Sequence, residues 1–320
     1  MKWKKLGKIF DPIEHTLPHN CIEYAQSPQA LVFNGFVRMY FSTRERDAEG
    51  NFLSHVAFVN FDKNFRKILN VSSHTVITLG SLGCYDEHGI FPFNVLRVDN
   101  KIFGYISGWS RRVSVPVETS IGLAISKDDG LTFQRIGPGP VLSSTLHEPF
   151  LVGDPFVAKF GDTYHMWYIY GTRWINSALG KSHERVYKIG HAASKDGVSW
   201  EKDGTQLIPD KLNVDECQAL PTVIKYGGIY HMFFCYRPAT GFRTNRDSGY
   251  RIGYAYGKDL QNWKREDERV GIDVSENGWD SNMLCYPHLF HCDGRVYMLY
   301  NGNEFGRYGF GLAILEDSDN

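Results

Sequence analysis

The chain has 320 residues and a formal net charge of −1, with 42% hydrophobic and 14% aromatic residues. This length and apolar content allow a sizeable buried core. The near-neutral balance provides no general attraction to nucleic acid or to anionic membrane surfaces.

The basic start, Met1-Lys2-Trp3-Lys4-Lys5, leads into no apolar run, and no stretch approaches the ~20 apolar residues of a membrane-spanning helix. The expectation is a cytoplasmic protein with no signal peptide and no membrane span. Cys21, Cys84, Cys217, Cys235, Cys285 and Cys292 are scattered without a CxxC pair, which reads as reduced thiols. No residue spacing suggests a metal site, and no cofactor is expected.

Along the chain one unit recurs five times. It opens on Ser27-Pro28-Gln29, Phe91-Pro92-Phe93, Asp154-Pro155-Phe156, Leu220-Pro221-Thr222 and Tyr286-Pro287-His288, with the prolines spaced by 64, 63, 66 and 66 residues. After each comes a turn, such as Phe160-Gly161-Asp162, and an aromatic-rich strand, such as Tyr164-His165-Met166-Trp167-Tyr168. Third strands follow at Ile121–Ser126, Ile189–Ser194 and Ile252–Tyr256. Asp-Gly turns, as in Lys127-Asp128-Asp129-Gly130 and Lys195-Asp196-Gly197, lead to fourth strands. The last unit stops after its third strand, Phe310–Ile314, and Trp3-Lys4-Lys5-Leu6-Gly7 is the candidate for the missing fourth. The pattern predicts one all-β domain over residues 1–320. It is a five-bladed β-propeller of four-stranded antiparallel blades, the last closed by the N-terminal strand, with a frayed acidic tail at Glu316–Asn320.

In such a meander, residues just before each proline and just after each second strand crowd around one mouth, the usual place for function. The acids there are Asp154, Glu216, Asp86, Glu87, Glu23, Glu148 and Asp280. The arginines are Arg44, Arg111, Arg112, Arg173 and Arg237, and the aromatics include Trp109, Trp174 and Tyr236. Only Asp154 is an acid directly before a repeat proline. Arginine favours bidentate recognition of phosphate or carboxylate. The set therefore points to a saccharide, neutral or carrying a phosphate or acidic group, held by Glu87, Arg44, Trp109, Arg111, Arg173, Trp174, Arg237 and His288.

The chain resembles the five-bladed glycoside hydrolases of families 43 and 32 and the related family 130 mannoside phosphorylases. Gly153-Asp154-Pro155-Phe156-Val157, followed by Gly161-Asp162-Thr163-Tyr164, is similar to the motif opening a family 43 inner strand. Glu216-Cys217 resembles the Glu-Cys pair of family 32, whose glutamate is the general acid. The turn Ser126–Phe133 and its counterpart ending at Trp200 resemble the Asp-box hairpin of sialidases. Tyr300–Ala313 resembles proteins encoded with surface-polysaccharide genes. Ser27 departs from family 32, which has an aspartate there.

The resemblance implies an inverting glycosidase with Glu216 as acid, Asp154 as base and Asp86 orienting the acid. A phosphorylase would instead need one acid and an arginine-bound phosphate. A glycosyl-transferring enzyme of polysaccharide metabolism and a non-catalytic sugar-binding module also fit.

Overall fold

The computed structural model describes residues 1–176 and 183–316. The expected frayed tail at Glu316–Asn320 therefore lies outside the described residues from position 317 onward, as does part of the connection after Thr172. The strands are β1 (Trp3–Phe10), β2 (Glu23–Val32), β3 (Val37–Arg46), β4 (Phe52–Phe61), β5 (Ile68–Val71), β6 (Gly89–Val98), β7 (Lys101–Arg111), β8 (Val117–Ser126), β9 (Gln134–Arg135) and β10 (Phe150–Phe160). They continue with β11 (Thr163–Asn176), β12 (His183–Ser194), β13 (Glu201–Lys202), β14 (Glu216–Tyr226), β15 (Ile229–Pro238), β16 (Arg251–Gly257), β17 (Lys264–Arg265), β18 (Cys285–Cys292), β19 (Arg295–Asn301) and β20 (Phe310–Leu315). No helix among the described residues is long and apolar enough to cross a membrane.

The all-β expectation holds. Three sheets are four-stranded: β10-β11-β12-β13, β14-β15-β16-β17 and β1-β20-β19-β18. The first two repeats differ from the expected separate units. One parallel pair, Ser54↔Gly89, joins β4 to β6 and fuses β2–β5 and β6–β9 into an eight-stranded sheet. The N-terminal strand β1 pairs antiparallel with β20, as the truncated last unit predicted.

Inner strands such as β14 and β19 are buried on both faces, because apolar clusters fill the space between successive repeats. Tyr40 and Phe58 pack with Phe93 and Ile102, Tyr105 and Leu123 with Met166 and Tyr168, and Trp167 and Ile189 with Met232 and Phe234. Phe233 and Tyr254 pack with Met298 and Tyr300, and Leu299 and Phe310 return to Phe41 and Ala57. The repeats are also latched by hydroxyls. Tyr40 donates to the carbonyl of Gly130 (2.8 Å) and Tyr105 to that of Gly197 (3.0 Å), each in the next repeat's turn. A Cβ on Gly130 would stand 2.1 Å from the Tyr40 hydroxyl, at a φ of +79°.

The proline-opened strands share one irregularity. Register slips between Gln26 and Gln29, Ile90 and Phe93, Gly153 and Phe156, Ala219 and Thr222, and Cys285 and His288. In four of these bulges the residue before proline has a left-handed φ: Ser27 (51°), Asp154 (51°), Leu220 (46°) and Tyr286 (58°). Bulges leave backbone groups out of the ladder, and side chains of other repeats capture them. The Asp154 amide donates to Ser107 Oγ (3.1 Å) and the Ser27 amide to Asn301 Oδ1 (2.7 Å).

A second regularity holds the short outer strands. Asp86, Glu148, Glu216 and Asp280 are each at most 3% exposed and precede β6, β10, β14 and β18 or begin them. Each pairs with a cation on its own sheet's outer strand: Asp86 with Arg135, Glu148 with Lys202, Glu216 with Arg265 (2.6 Å), and Asp280 with Lys5 (2.8 Å). Three of those outer strands are two residues long, so the ladder alone holds them weakly. Glu216 Oε1 also accepts from Gln218, and its Oε2 accepts from the amides of Lys211 and Leu212, at 2.9 Å each.

Breaking a buried ion pair from one side costs about 3–5 kcal/mol. Glu216→Ala should therefore lose about 3 kcal/mol, at the low end of that range, because Asp267 still pairs with Arg265. Urea unfolding measures this, and an unchanged midpoint would contradict the structural role. Deletion of residues 1–10 removes Lys5 and the buried Trp3 and should abolish cooperative unfolding. A truncated chain melting at the full-length temperature would contradict the part given to β1.

Candidate active site

Where the bulges converge, the chain encloses a pocket of about 540 Å³ lined by residues of all five repeats. The bulge explains who lines it. Slipping one residue turns the pre-proline side chains of Phe91, Asp154 and Tyr286 toward this space, and all three line it. Asp154 is 8% exposed. Burial lifts its carboxyl from the usual carboxylate range to about 7, against the opposing pull of the Leu220 amide and the Arg185 charge.

Arg44, Arg185, Arg237 and Arg243 line the same pocket. Arg243 is paired with Glu184, while among the described residues no carboxylate pairs with Arg44, Arg185 or Arg237. Arg44 donates from Nε to Gln26 Oε1 (2.9 Å) between the rings of Tyr24 and Phe52. Arg237 is 3% exposed, with its guanidinium 3.4 Å from the Phe242 ring centre. It donates to the carbonyls of Pro238 and Ala239 and to the Tyr187 hydroxyl, and its Nε has no hydrogen-bond partner. A buried guanidinium without a counter-charge is costly, and a bound anion would relieve that cost. The same positive charge makes the pocket a poor seat for a divalent cation.

The pocket brings together four of the expected residues: Asp154, Arg44, Trp109 and Arg237. The others lie elsewhere. Glu216 and Asp86, the expected acid and its orienting partner, are held in the outer-strand ion pairs outside this lining, and strand alternation turns Glu216 away from the face that Ala219 presents to the pocket. Glu87 caps its own turn by accepting from the Gly83 amide (2.9 Å). Arg111 is held by Asp47 (2.7 Å) and the Phe52 carbonyl, and Arg173 pairs with Asp215. Trp174 sits across the ladder from Arg185, outside the lining. His288 is buried beside Phe156 and Phe290, and burial drives its imidazole down to about 3.

Several lining residues escape the sequence reading. Arg185 and Tyr187 stand two apart on β12, so strand alternation puts both on one face, but Glu184, Lys188 and His191 on the same strand mask that signal in the sequence. Tyr250 and Phe242 come from the connection after β15. Glu304 and Phe305 lie on the rim with left-handed φ values of 53° and 59°. The Glu304 carboxylate accepts from Arg307 and Tyr308, and these bonds hold it below the usual range.

No protein-family model matches the chain. It is 26% identical over 201 residues to a 1,2-beta-oligomannan phosphorylase of Thermoanaerobacter sp. (strain X514), a match spanning 62% of this chain and 58% of that one. It superposes on a thermostable family-43 glycoside hydrolase with a TM-score of 0.67 and 16% identity, covering 93% of this chain and 91% of that one. The fold is thus that of the propeller glycoside hydrolases, as the resemblance implied. Uncharacterized protein MT1551 of Mycobacterium tuberculosis (strain CDC 1551 / Oshkosh) is 32% identical over 324 residues, covering 99% of this chain and 100% of that one. By that likeness over its full length, the chain belongs to the family of MT1551.

Proposed function

We propose that this protein is a carbohydrate-active enzyme, a single five-bladed propeller over residues 1–320, that cleaves a glycosidic bond by phosphorolysis. The observation that carries the reading is one buried carboxyl, Asp154, sharing a pocket with three arginines that have no carboxylate partner among the described residues. The phosphorylase relative and the propeller glycoside hydrolases of like fold support it.

Asp154, whose carboxyl burial lifts to about 7 so that a large share keeps its proton at neutral pH, donates that proton to the glycosidic oxygen as the bond to the anomeric carbon breaks. A phosphate held by Arg44, Arg185 and Arg237 supplies the attacking oxygen. The products are a sugar 1-phosphate and the shortened saccharide, with inversion because only one displacement occurs. Phosphate is already anionic, so no second carboxylate is required. Inverting hydrolysis needs a base some 6.5–9.5 Å from the acid, and Glu216 is saturated by its own partners. Glu304 lines the same pocket, and a second reading, hydrolysis, would use it as the base.

Short β-mannosides incubated with and without inorganic phosphate separate the two. Phosphorolysis predicts sugar 1-phosphate by phosphorus NMR and turnover that depends on phosphate. Arg44→Ala should weaken phosphate by about 1.5–3 kcal/mol, or roughly 10- to 160-fold in its KM. Equal turnover in phosphate-free buffer would overturn the reading in favour of Glu304 and water.

The Asp154 proton also has a stability signature. An unfolded aspartate titrates near 3.9, whereas the folded value is about 7. Between these values the unfolded chain is ionised while the folded one stays protonated, so stability falls as pH rises and levels off above about 7. Asp154→Asn escapes this loss. Its melting temperature should gain on wild type from about pH 4 to pH 7, while turnover falls at least 100-fold. A melting difference that is the same at every pH would contradict the buried, protonated carboxyl.

A further inference from the structure

We propose that His19, Glu45 and His55 form a binding site for a divalent transition metal of the zinc class, on the side of the β3–β4 pair facing away from the pocket. Three separate segments meet there. Glu45 lies on β3, His55 on β4, and His19 in the short 3-10 turn Pro18–Asn20. One ligand atom from each side chain lies within 4.8 Å of the other two. His55 Nε2 stands 2.8 Å from Glu45 Oε2, and the rings of His19 and His55 stack with centres 4.0 Å apart.

Three features single this cluster out from an ordinary surface group. His55 is 5% exposed, and its Nδ1 has no hydrogen-bond partner. Among the described residues no lysine or arginine pairs with Glu45, so its charge is met only by imidazole. His19 already has an outer contact, Nε2 to Thr75 Oγ1 at 3.1 Å, of the kind that orients metal-bound histidines. Two nitrogen donors and one carboxylate suit zinc, cobalt or nickel, while calcium and magnesium prefer oxygen cages. Bonds of about 2.0–2.2 Å require the rings to leave their stack so that their in-plane lone pairs converge. His19 sits in a three-residue turn, which can make that adjustment. Three protein ligands leave a fourth position for water.

The placement gives the site a purpose. Neighbours on a strand face opposite sides, and Arg44 and Ser54, adjacent to Glu45 and His55, line the pocket. A bound metal would staple the Pro18–Asn20 turn to the strands that carry the arginine wall.

The test uses the full-length chain without a polyhistidine tag, stripped with chelator and titrated with Zn²⁺ and with Co²⁺ as a coloured probe. One equivalent should bind saturably, raise the melting temperature, and give visible Co²⁺ absorption of a low-coordinate site. His19→Ala and Glu45→Gln should each weaken binding at least 10-fold, while His74→Ala and Arg44→Ala leave it unchanged. His19 is partly exposed in a surface turn, so its variant stays informative if His55→Ala fails to fold. Absence of saturable binding, binding that survives the double change at His19 and Glu45, or equal stabilisation by Mg²⁺ and Ca²⁺ would each overturn the proposal. These readouts do not depend on the sugar chemistry, so they stand or fall apart from it.

Discussion

Everything at the centre of this protein depends on the bulge at each repeat proline. Proline removes a ladder donor, the strand bulges there, and in four of the five repeats the residue before it takes a left-handed φ. Each inner strand therefore slips by one residue as it reaches the middle of the molecule. Left-handed φ values at Ser27, Asp154, Leu220 and Tyr286 cost of order 1–3 kcal/mol each. The surroundings sustain them through bonds such as Ser107 to the Asp154 amide and Asn301 to the Ser27 amide. The same slip aims pre-proline side chains into one pocket, so the constraint that spoils the ladder also builds the site.

The buried acids divide by what they meet. Asp86, Glu148, Glu216 and Asp280 each find a cation on an outer strand, and the first three there pin strands only two residues long. Asp154 finds no such partner, and burial dominates its chemistry. The arginines divide in the opposite sense. Arg111 and Arg173 are neutralised at the edge by Asp47 and Asp215, whereas Arg44, Arg185 and Arg237 keep their charge for the pocket. A proton donor among positive charges is a useful arrangement for a reaction in which an anion attacks as a leaving oxygen is protonated.

Much of the fold was legible because the repeat proline has a local cause and a fixed period. The N-terminal strand was legible from the missing fourth strand of the last unit. The fused sheet of the first two repeats was not, since a single bridge between Ser54 and Gly89 decides it. The place of Asp154 in the pocket lining was legible from its singularity before a repeat proline. The placement of Glu216 was not legible, because a dipeptide likeness says nothing about which face of a strand an acid occupies. The true pattern is its equivalence to Asp86, Glu148 and Asp280, whose cationic partners lie 49 to 275 residues away and carry no shared motif. Arg185 and Tyr187 were hidden because they sit on a third strand, where the repeat pattern leads one to expect core.

The account rests on a carboxyl that keeps its proton near neutrality inside the pocket. Carbon-13 NMR of aspartate-labelled protein, titrated across pH with Asp154→Asn as the assignment control, reads this directly. The account predicts one aspartate carboxyl titrating near pH 7 and missing from the variant. If every aspartate carboxyl of the wild-type protein instead titrates in the ordinary range near 3.9, Asp154 is not the proton donor and the central claim fails.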